Sequence, residues 1–280
     1  MAGTPVERLT SDRALLDAMV ATESALVAAL ADTGLVTRVV ADVVADTCGR
    51  LERDRGYIDD LALRGGTGGN PAIPLVEDLR ERVAATDPDA VPAVHRGATS
   101  QDVVDTALML VARGALERLA GDLRAAAGDA ATLAETHRST VAVGRTLTQQ
   151  ALPTTFGFRV AGWLTGLTDA VRRVESVRES LPVQLGGPVG TTAAYAHAGP
   201  AVVDALAARL GLSTPVLSWH TRRTPVVDVG HALVVATGAV GKVAADVLVM
   251  SQTEIGELTE ATGGSSSSMA HKANPAQSVL

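Results

Sequence analysis

Gly263-Gly264-Ser265-Ser266-Ser267-Ser268-Met269-Ala270-His271-Lys272-Ala273-Asn274-Pro275 is the stretch on which the reading of this chain turns. Its glycines release the backbone into dihedrals closed to other residues, and its serines supply short hydroxyls. A lysine and an asparagine follow, a cation and an amide suited to carboxylate oxygens. A Gly/Ser linker shares the composition but not the internal Met or the His-Lys-x-Asn-Pro that ends the run.

Working outward, the 280 residues are 46% hydrophobic and 20% charged, a globular composition with room for two domains or one large one. Aromatics make up 2%, so the core is built of Ala, Val and Leu, which suits closely packed helices. That scarcity and a net charge of −7 argue against nucleic-acid binding. The one cysteine, Cys48, excludes an internal disulfide and a thiolate zinc cluster, fits a reducing cytoplasm, and is expected as a small buried hydrophobe. No basic region followed by an apolar run opens the chain, so no signal peptide is expected. The apolar stretch from Val226 to Met250 carries Asp228, His231, Lys242 and Asp246, which predicts a buried bundle helix rather than a membrane span.

Helical patterning dominates. Ser11 and Asp12 cap a first helix that Gly34 ends, and a second runs from Arg38 to about Leu51. Residues 64–71 are expected to break the pattern, with a short amphipathic helix from Pro74 to about Ala85 and a loop through Pro88 and Pro92 that delivers His95. Long helices are expected from Ser100 to about His137, Thr155 to Ser180 and Pro225 to Glu260; at about 1.5 Å per residue the last would exceed about 50 Å. Gly114, Gly121 and Gly128 recur at heptad spacing, and since each costs about 1 kcal/mol in a helix interior their face is expected to touch another helix. No useful period-2 run appears, so the fold class is all-α, with long rods suited to a bundle.

Two further clusters carry chemistry. In His95-Arg96-Gly97-Ala98-Thr99-Ser100-Gln101-Asp102, Thr99 or Ser100 can cap a helix whose first amides meet an anion, though an ordinary cap with a stray histidine would look the same. The other is Gly144-Arg145-Thr146-Leu147-Thr148-Gln149-Gln150-Ala151-Leu152-Pro153-Thr154-Thr155-Phe156-Gly157. No spacing suggests a metal site and no cofactor motif is present. His137, His197 and His231 have no motif behind them.

The terminal stretch resembles the Gly-Ser-Ser-x-Met-x-x-Lys-x-Asn loop of the fumarase/aspartase superfamily, with Met269, Lys272 and Asn274 in register and the superfamily's catalytic serine falling on Ser266. Ser265 and Ala270 depart from it, standing where glycine and proline are usual. The other clusters resemble the superfamily's His-x-Gly-x-Thr-Ser-x-Asp and Gly-Arg-Thr-His-x-Gln-x-Ala-x-Pro-Thr-Thr-x-Gly blocks, except that Leu147 replaces a histidine that moves protons in adenylosuccinate lyases, argininosuccinate lyases and fumarases. An amine must be protonated as it leaves, whereas a carboxylate, with a pKa of about 4, need not be. The substitution is similar to that in the 3-carboxy-cis,cis-muconate cycloisomerases, as are Gly69-Asn70-Pro71, Gln184-Leu185-Gly186-Gly187 and Trp219-His220-Thr221-Arg222-Arg223, the last departing at Thr224.

The resemblance implies an elongated helical bundle in two parts, an N-terminal helical domain over 1–99 and a central long-helix domain over 100–280, ending before the bundle and a small C-terminal domain are complete; Pro275 would open the next helix. It implies lactonisation of a tricarboxylate in aromatic breakdown, without cofactor or metal. Ser266, Lys272 and His95 would be catalytic. Thr99, Ser100, Gln101, Arg145, Thr146, Gln149, Met269, Asn274, Arg223 and Asn70 would bind substrate. Superfamily members are homotetramers that share sites between subunits, so a cytoplasmic homotetramer with no nucleic-acid or membrane partner is expected. An adenylosuccinate lyase or another C–N or C–O eliminating lyase, and a non-catalytic helical scaffold, are the alternatives.

Overall fold

Capping chemistry sets the helix starts. The computed structural model describes residues 3–260, 264–265, 268–269 and 272–279. After a short α1 (Pro5–Leu9), the Ser11 hydroxyl accepts from the Ala14 amide and opens α2 (Asp12–Asp32), which Gly34 ends with φ +74°. Thr37 caps α3 (Arg38–Arg50) in the same way. Leu16, Met19, Val20 and Val27 of α2 face Ala41, Val44 and Cys48 of α3 and Leu75, Leu79 and Val83 of α5 (Ala72–Thr86), all nearly sealed from water. Each such leucine contributes roughly 2 kcal/mol of burial. Cys48 is packed as expected, and burial, with Glu23 nearby, pushes its thiol up to about 12.

One break lies later than its glycines suggest. Residues 64–68 continue α4 (Arg55–Gly68), which Asp54 caps, and the chain turns at Gly69, where φ is +77°. Tertiary contacts outweigh the glycine propensities. Arg64 forks onto Asp78 of α5 at 2.9 and 2.7 Å, and a Cβ at Gly65 would lie 3.0 Å from the Pro71 backbone, so the bare helix surface lets the turn fold back against it.

A 3-10 turn (Pro88–Ala93) leads to α6 (Ser100–Thr136); α7 is Phe156–Ser180, α8 is Gly199–Leu210 and α9 is Thr224–Met250. The chain divides into two compact units, residues 1–118 with 176–229, and residues 119–175 with 230–280. This division cuts across the 1–99 and 100–280 partition because α8 returns to α2, where Val202, Leu206 and Leu210 bury against Leu26, Ala29 and Leu30. In the second unit Trp163 of α7 donates to Asp246 of α9 at 2.7 Å, and Phe156 stands edge-on to both His137 and Trp163.

Three further expectations are corrected, and a fourth, the glycine face, finds no partner among the described residues of the single chain. A β-hairpin, β1 (Val141–Thr146) with β2 (Gln149–Thr155), interrupts the helices; β2 is mostly exposed, so neither strand needs to alternate in hydrophobicity. Cβ atoms at Gly114, Gly121 and Gly128 would meet nothing within 4 Å among the described residues, so their face is open in the single chain. α9 ends at Met250, 27 residues or about 40 Å long, and buries Ala232, Ala236 and Met250 while leaving Val227, Leu233 and Val234 in the open. Ala273–Asn274 forms a strand and Pro275 follows it without opening a helix.

Candidate active site

The start of α6 is organised around a residue that sequence reading left as part of a motif. Asp102, third in the helix, reaches back to accept from the Thr99 amide at 2.9 Å, the acidic half of a capping box. Its carboxylate, 1% exposed, also accepts from the Gly186 and Gly187 amides at 2.9 and 2.8 Å, from Gln184 Nε2 at 3.3 Å and from His220 Nε2 at 2.7 Å. Five donors on one buried carboxylate lock the Thr99-Ser100 turn to the 184–187 loop and to His220. Ser100 Oγ accepts from Asn70 Nδ2 at 3.3 Å, and Asn70 Oδ1 accepts from the Ala72 amide to start α5.

Asp105, one turn on, gathers two more of the expected binding residues. Gln101 Nε2 donates to it at 3.3 Å and to the His220 carbonyl at 3.0 Å. Arg223 forks onto Asp105 at 2.7 and 2.9 Å and lies 5.1 Å over the Trp219 ring. That bond raises the Arg223 pKa and engages the guanidinium expected to meet substrate. Asp102 and Asp105 sit three apart on one helix face, which was the available clue to their shared role.

His95 adopts φ +58°, costly for a residue with a Cβ, and its Nδ1 lies 2.6 Å from Glu23 Oε1. Glu23 projects from the middle of α2 and is 2% exposed. An ionised carboxylate only accepts, so Nδ1 carries the hydrogen and Nε2 is left for other work. The partners are 72 residues apart in sequence, and nothing local marks Glu23. A polar cavity of about 350 Å³ opens beside Thr99 and Gln101 and is also lined by Gly190, Ser218, His220 and Thr221.

In the second unit, Thr146 pairs with Gln149 to close the β1–β2 hairpin, and Leu147 and Thr148 turn it with φ of +48° and +65°. Positive φ at both central residues is the geometry of a two-residue primed turn, ordinarily made by Asn-Gly. Leu147 is 95% exposed at the tip, and Thr146 and Gln149 are exposed beside it. Arg145 forks onto Glu257 at 3.0 and 2.5 Å, which Arg159 also reaches at 3.4 Å. The Arg145 hydrogen bonds hold the Glu257 carboxyl below its ordinary value and raise the guanidinium. A cavity of about 520 Å³ under the hairpin has aliphatic and aromatic walls, among them Leu133, Val141, Leu152 and Phe156, and is poorly suited to polycarboxylates.

In the terminal stretch β3 (Gly264–Ser265) pairs antiparallel with β4 (Ala273–Asn274). Lys272 is exposed and its amide donates to the Met269 carbonyl at 3.1 Å; Met269 is exposed and Asn274 half-buried. Ser266, the expected catalytic serine, lies outside the described residues, as does His271. Thus in the first unit Thr99 is held by Asp102, Gln101 and Arg223 by Asp105, and Asn70 by Ser100. Arg145, Thr146 and Gln149 share one hairpin of the second unit, and Met269, Lys272 and Asn274 its last segment.

A family model described as Lyase matches residues 3–280. The chain is similar to the nitrosuccinate lyase of Streptomyces davaonensis, 44% identical over 292 positions that take in 100% of this chain and 60% of the relative. It is 40% identical to a 3-carboxy-cis,cis-muconate cycloisomerase of Acinetobacter baylyi, over 98% of this chain and 62% of that one. Among solved structures it is similar to the 3-carboxy-cis,cis-muconate lactonizing enzyme from Pseudomonas putida, with a TM-score of 0.88 and 38% identity over 98% of this chain and 61% of the other. The chain spans about 60% of the length of the curated relatives it matches.

Proposed function

We propose a reaction for this chain from one premise: it belongs to the lyase family of the fumarase/aspartase superfamily, whose model matches residues 3–280. The reaction is addition to, or elimination from, a carbon beside a carboxylate, in which the departing group leaves as a weakly basic anion. Leu147 carries this reading. The hairpin that presents Arg145 and Thr146 turns on an aliphatic side chain, which moves no proton. A leaving amine needs a general acid at that point; a carboxylate does not.

The first reading is cycloisomerisation of 3-carboxy-cis,cis-muconate to 4-carboxymuconolactone in aromatic breakdown. One carboxylate oxygen attacks the far end of a conjugated double bond, forming the ring C–O bond. The displaced π electrons pass to the carbon alpha to another carboxylate, and a proton then completes the C–H bond there. Charge accumulates on that second carboxylate as an enediolate, which Lys272 and Asn274 stabilise. Thr99, Ser100, Arg145 and Thr146 hold the remaining carboxylates, with Asn70, Gln101, Gln149, Met269 and Arg223 around them. Ser266 delivers the proton and takes it back in the reverse direction, its alkoxide sustained by loop amides and Lys272 once water has left. His95, aligned by Glu23, relays or donates a proton.

A second reading is favoured by the 44% identity to a nitrosuccinate lyase. Loss of nitrite from nitrosuccinate also expels an anion of carboxylate-like basicity and so dispenses with the missing histidine. The working enzyme is a cytoplasmic homotetramer with shared sites. The exposed apolar residues of α9 and the open glycine face of α6 support packing against other copies.

Incubating the full-length protein separately with 3-carboxymuconate, nitrosuccinate and adenylosuccinate, and following absorbance, tests the reaction class. Conversion of either of the first two is expected. Turnover of adenylosuccinate alone would overturn it, and unchanged turnover in Ser266→Ala would remove the serine from its role.

A further inference from the structure

His220 has no part in the mechanism above, yet the first unit is arranged to hold it in one orientation. Its Nε2 lies 2.7 Å from Asp102 Oδ1. That oxygen already accepts from the Gly186 amide, and its partner oxygen accepts from the Gly187 and Thr99 amides. The carboxylate therefore serves as an acceptor, which places the His220 hydrogen on Nε2 and turns Nδ1 outward. For Nδ1 no hydrogen bond is found among the described residues.

Backbone space is reserved for the ring. A Cβ at Gly186 would stand 3.0 Å from His220 Cε1 and 2.7 Å from Ser218 Cβ; one at Gly190 would stand 2.7 Å from Ser218 Oγ. Gly190 and Gly187 adopt φ of +77° and +72°. The loop thus passes the imidazole with bare backbone and leaves the 350 Å³ cavity in front of it, where Thr99, Ser218 and Thr221 bring hydroxyls. Arg223 is held by Asp105 and donates to the His220 carbonyl at 3.4 Å.

We propose that His220 is a carboxylate-binding residue of this cavity: held at Nε2 by Asp102, it takes up a proton as the ligand arrives and donates Nδ1–H to a ligand carboxylate, beside the Thr99 and Thr221 hydroxyls. The chain then acquires positive charge at this spot only when an anion is present, and Asp102 behind the ring balances it. Asp102 of α6 faces the ring at Nε2, and Asp105 holds Arg223, which reaches the His220 carbonyl; the 184–191 loop contributes no titratable side chain. This assignment rests on the carboxylate-lyase reading of the site.

The test uses tricarballylate, a saturated tricarboxylate that does not react, with the full chain. In wild type its affinity falls about tenfold or more between about pH 6 and pH 8, and ligand shifts the 15N resonance of His220 Nδ1. His220→Gln keeps a donor toward Asp102 but has nothing in place of Nδ1, so its melting temperature stays close to wild type while binding is weak and flat with pH. Wild-type-like binding by His220→Gln, or a His220 Nδ1 resonance unmoved by ligand, overturns the assignment. If His220→Gln does not fold, the wild-type resonance decides alone. Because the probe is not turned over, failure of all three substrates above would sink the reaction class, while the role of His220 would still stand or fall on tricarballylate binding.

Discussion

Asp102→Asn is the substitution that most directly tests how the site is built. The two side chains have the same shape, but the amide keeps one acceptor oxygen and turns the other into a donor. Asp102 Oδ2 receives the Thr99 and Gly187 amides, and Oδ1 receives Gly186, Gln184 and His220. Whichever way the new amide flips, at least two buried donors face an N–H. At about 1–3 kcal/mol for each orphaned group the loss is about 2–6 kcal/mol. With a urea m value near 2 kcal/mol/M, a loss of about 4 kcal/mol lowers the unfolding midpoint by roughly 2 M. Trp219 is a suitable reporter, because it is fully buried and its backbone amide donates to Gln184 Oε1 at 2.7 Å. A Trp163→Phe background removes the second unit's tryptophan, so fluorescence then follows the first unit. Asp102→Ala, which withdraws both oxygens, is expected to be worse than Asn. A loss below about 1 kcal/mol for Asn would mean that the carboxylate does not anchor the α6 start, and the argument for His220 would fall with it.

Gly97→Ala should cost about 2–5 kcal/mol by the same assay, since Gly97 has φ +76° and a Cβ there would lie 2.5 Å from the ring of buried Tyr195; near-neutral unfolding would refute the clash. Glu23→Gln should lower kcat/KM about 10- to 100-fold with little change in melting temperature, because the buried carboxylate fixes the His95 tautomer; an unchanged rate would detach His95 from the chemistry. Arg145 depresses the Glu257 carboxyl, so the stability this pair contributes is complete above the ordinary value near 4.5 and is lost as pH falls through the lower folded value. Melting curves of wild type and Glu257→Gln should therefore converge in acid, and a gap that persists undiminished would contradict the linkage.

The helix start at Ser11 and the stop at Gly34 were legible because each is a local matter, a hydroxyl accepting from the Ala14 amide and a glycine taking positive φ. Residues 64–68 misled because the glycine cost is local while its compensation, Asp78 and the Pro71 backbone, arrives from the next helix. The hairpin was hidden because exposed strands need no alternation, and its turn uses Leu-Thr in place of the usual Asn-Gly. The spacing of Gly114, Gly121 and Gly128 identifies one face without saying whether its neighbour lies in the same chain.

By itself the sequence determined the helical class, the family and the three motif clusters, since those rest on residue identity and spacing, which survive unfolding. It also showed Leu147 standing where the resembling motif carries a histidine, the substitution from which the proposed leaving group is argued. Tertiary structure alone decided the partners: Glu23 behind His95, Asp105 on Arg223, Glu257 on Arg145, and Asp102 between the 184–187 loop and His220. Each partnership joins groups from 72 to 118 residues apart, at distances where a hydrogen bond fixes a tautomer or neutralises a charge. Such pairings are set by how helices stack, and a linear pattern carries no record of them.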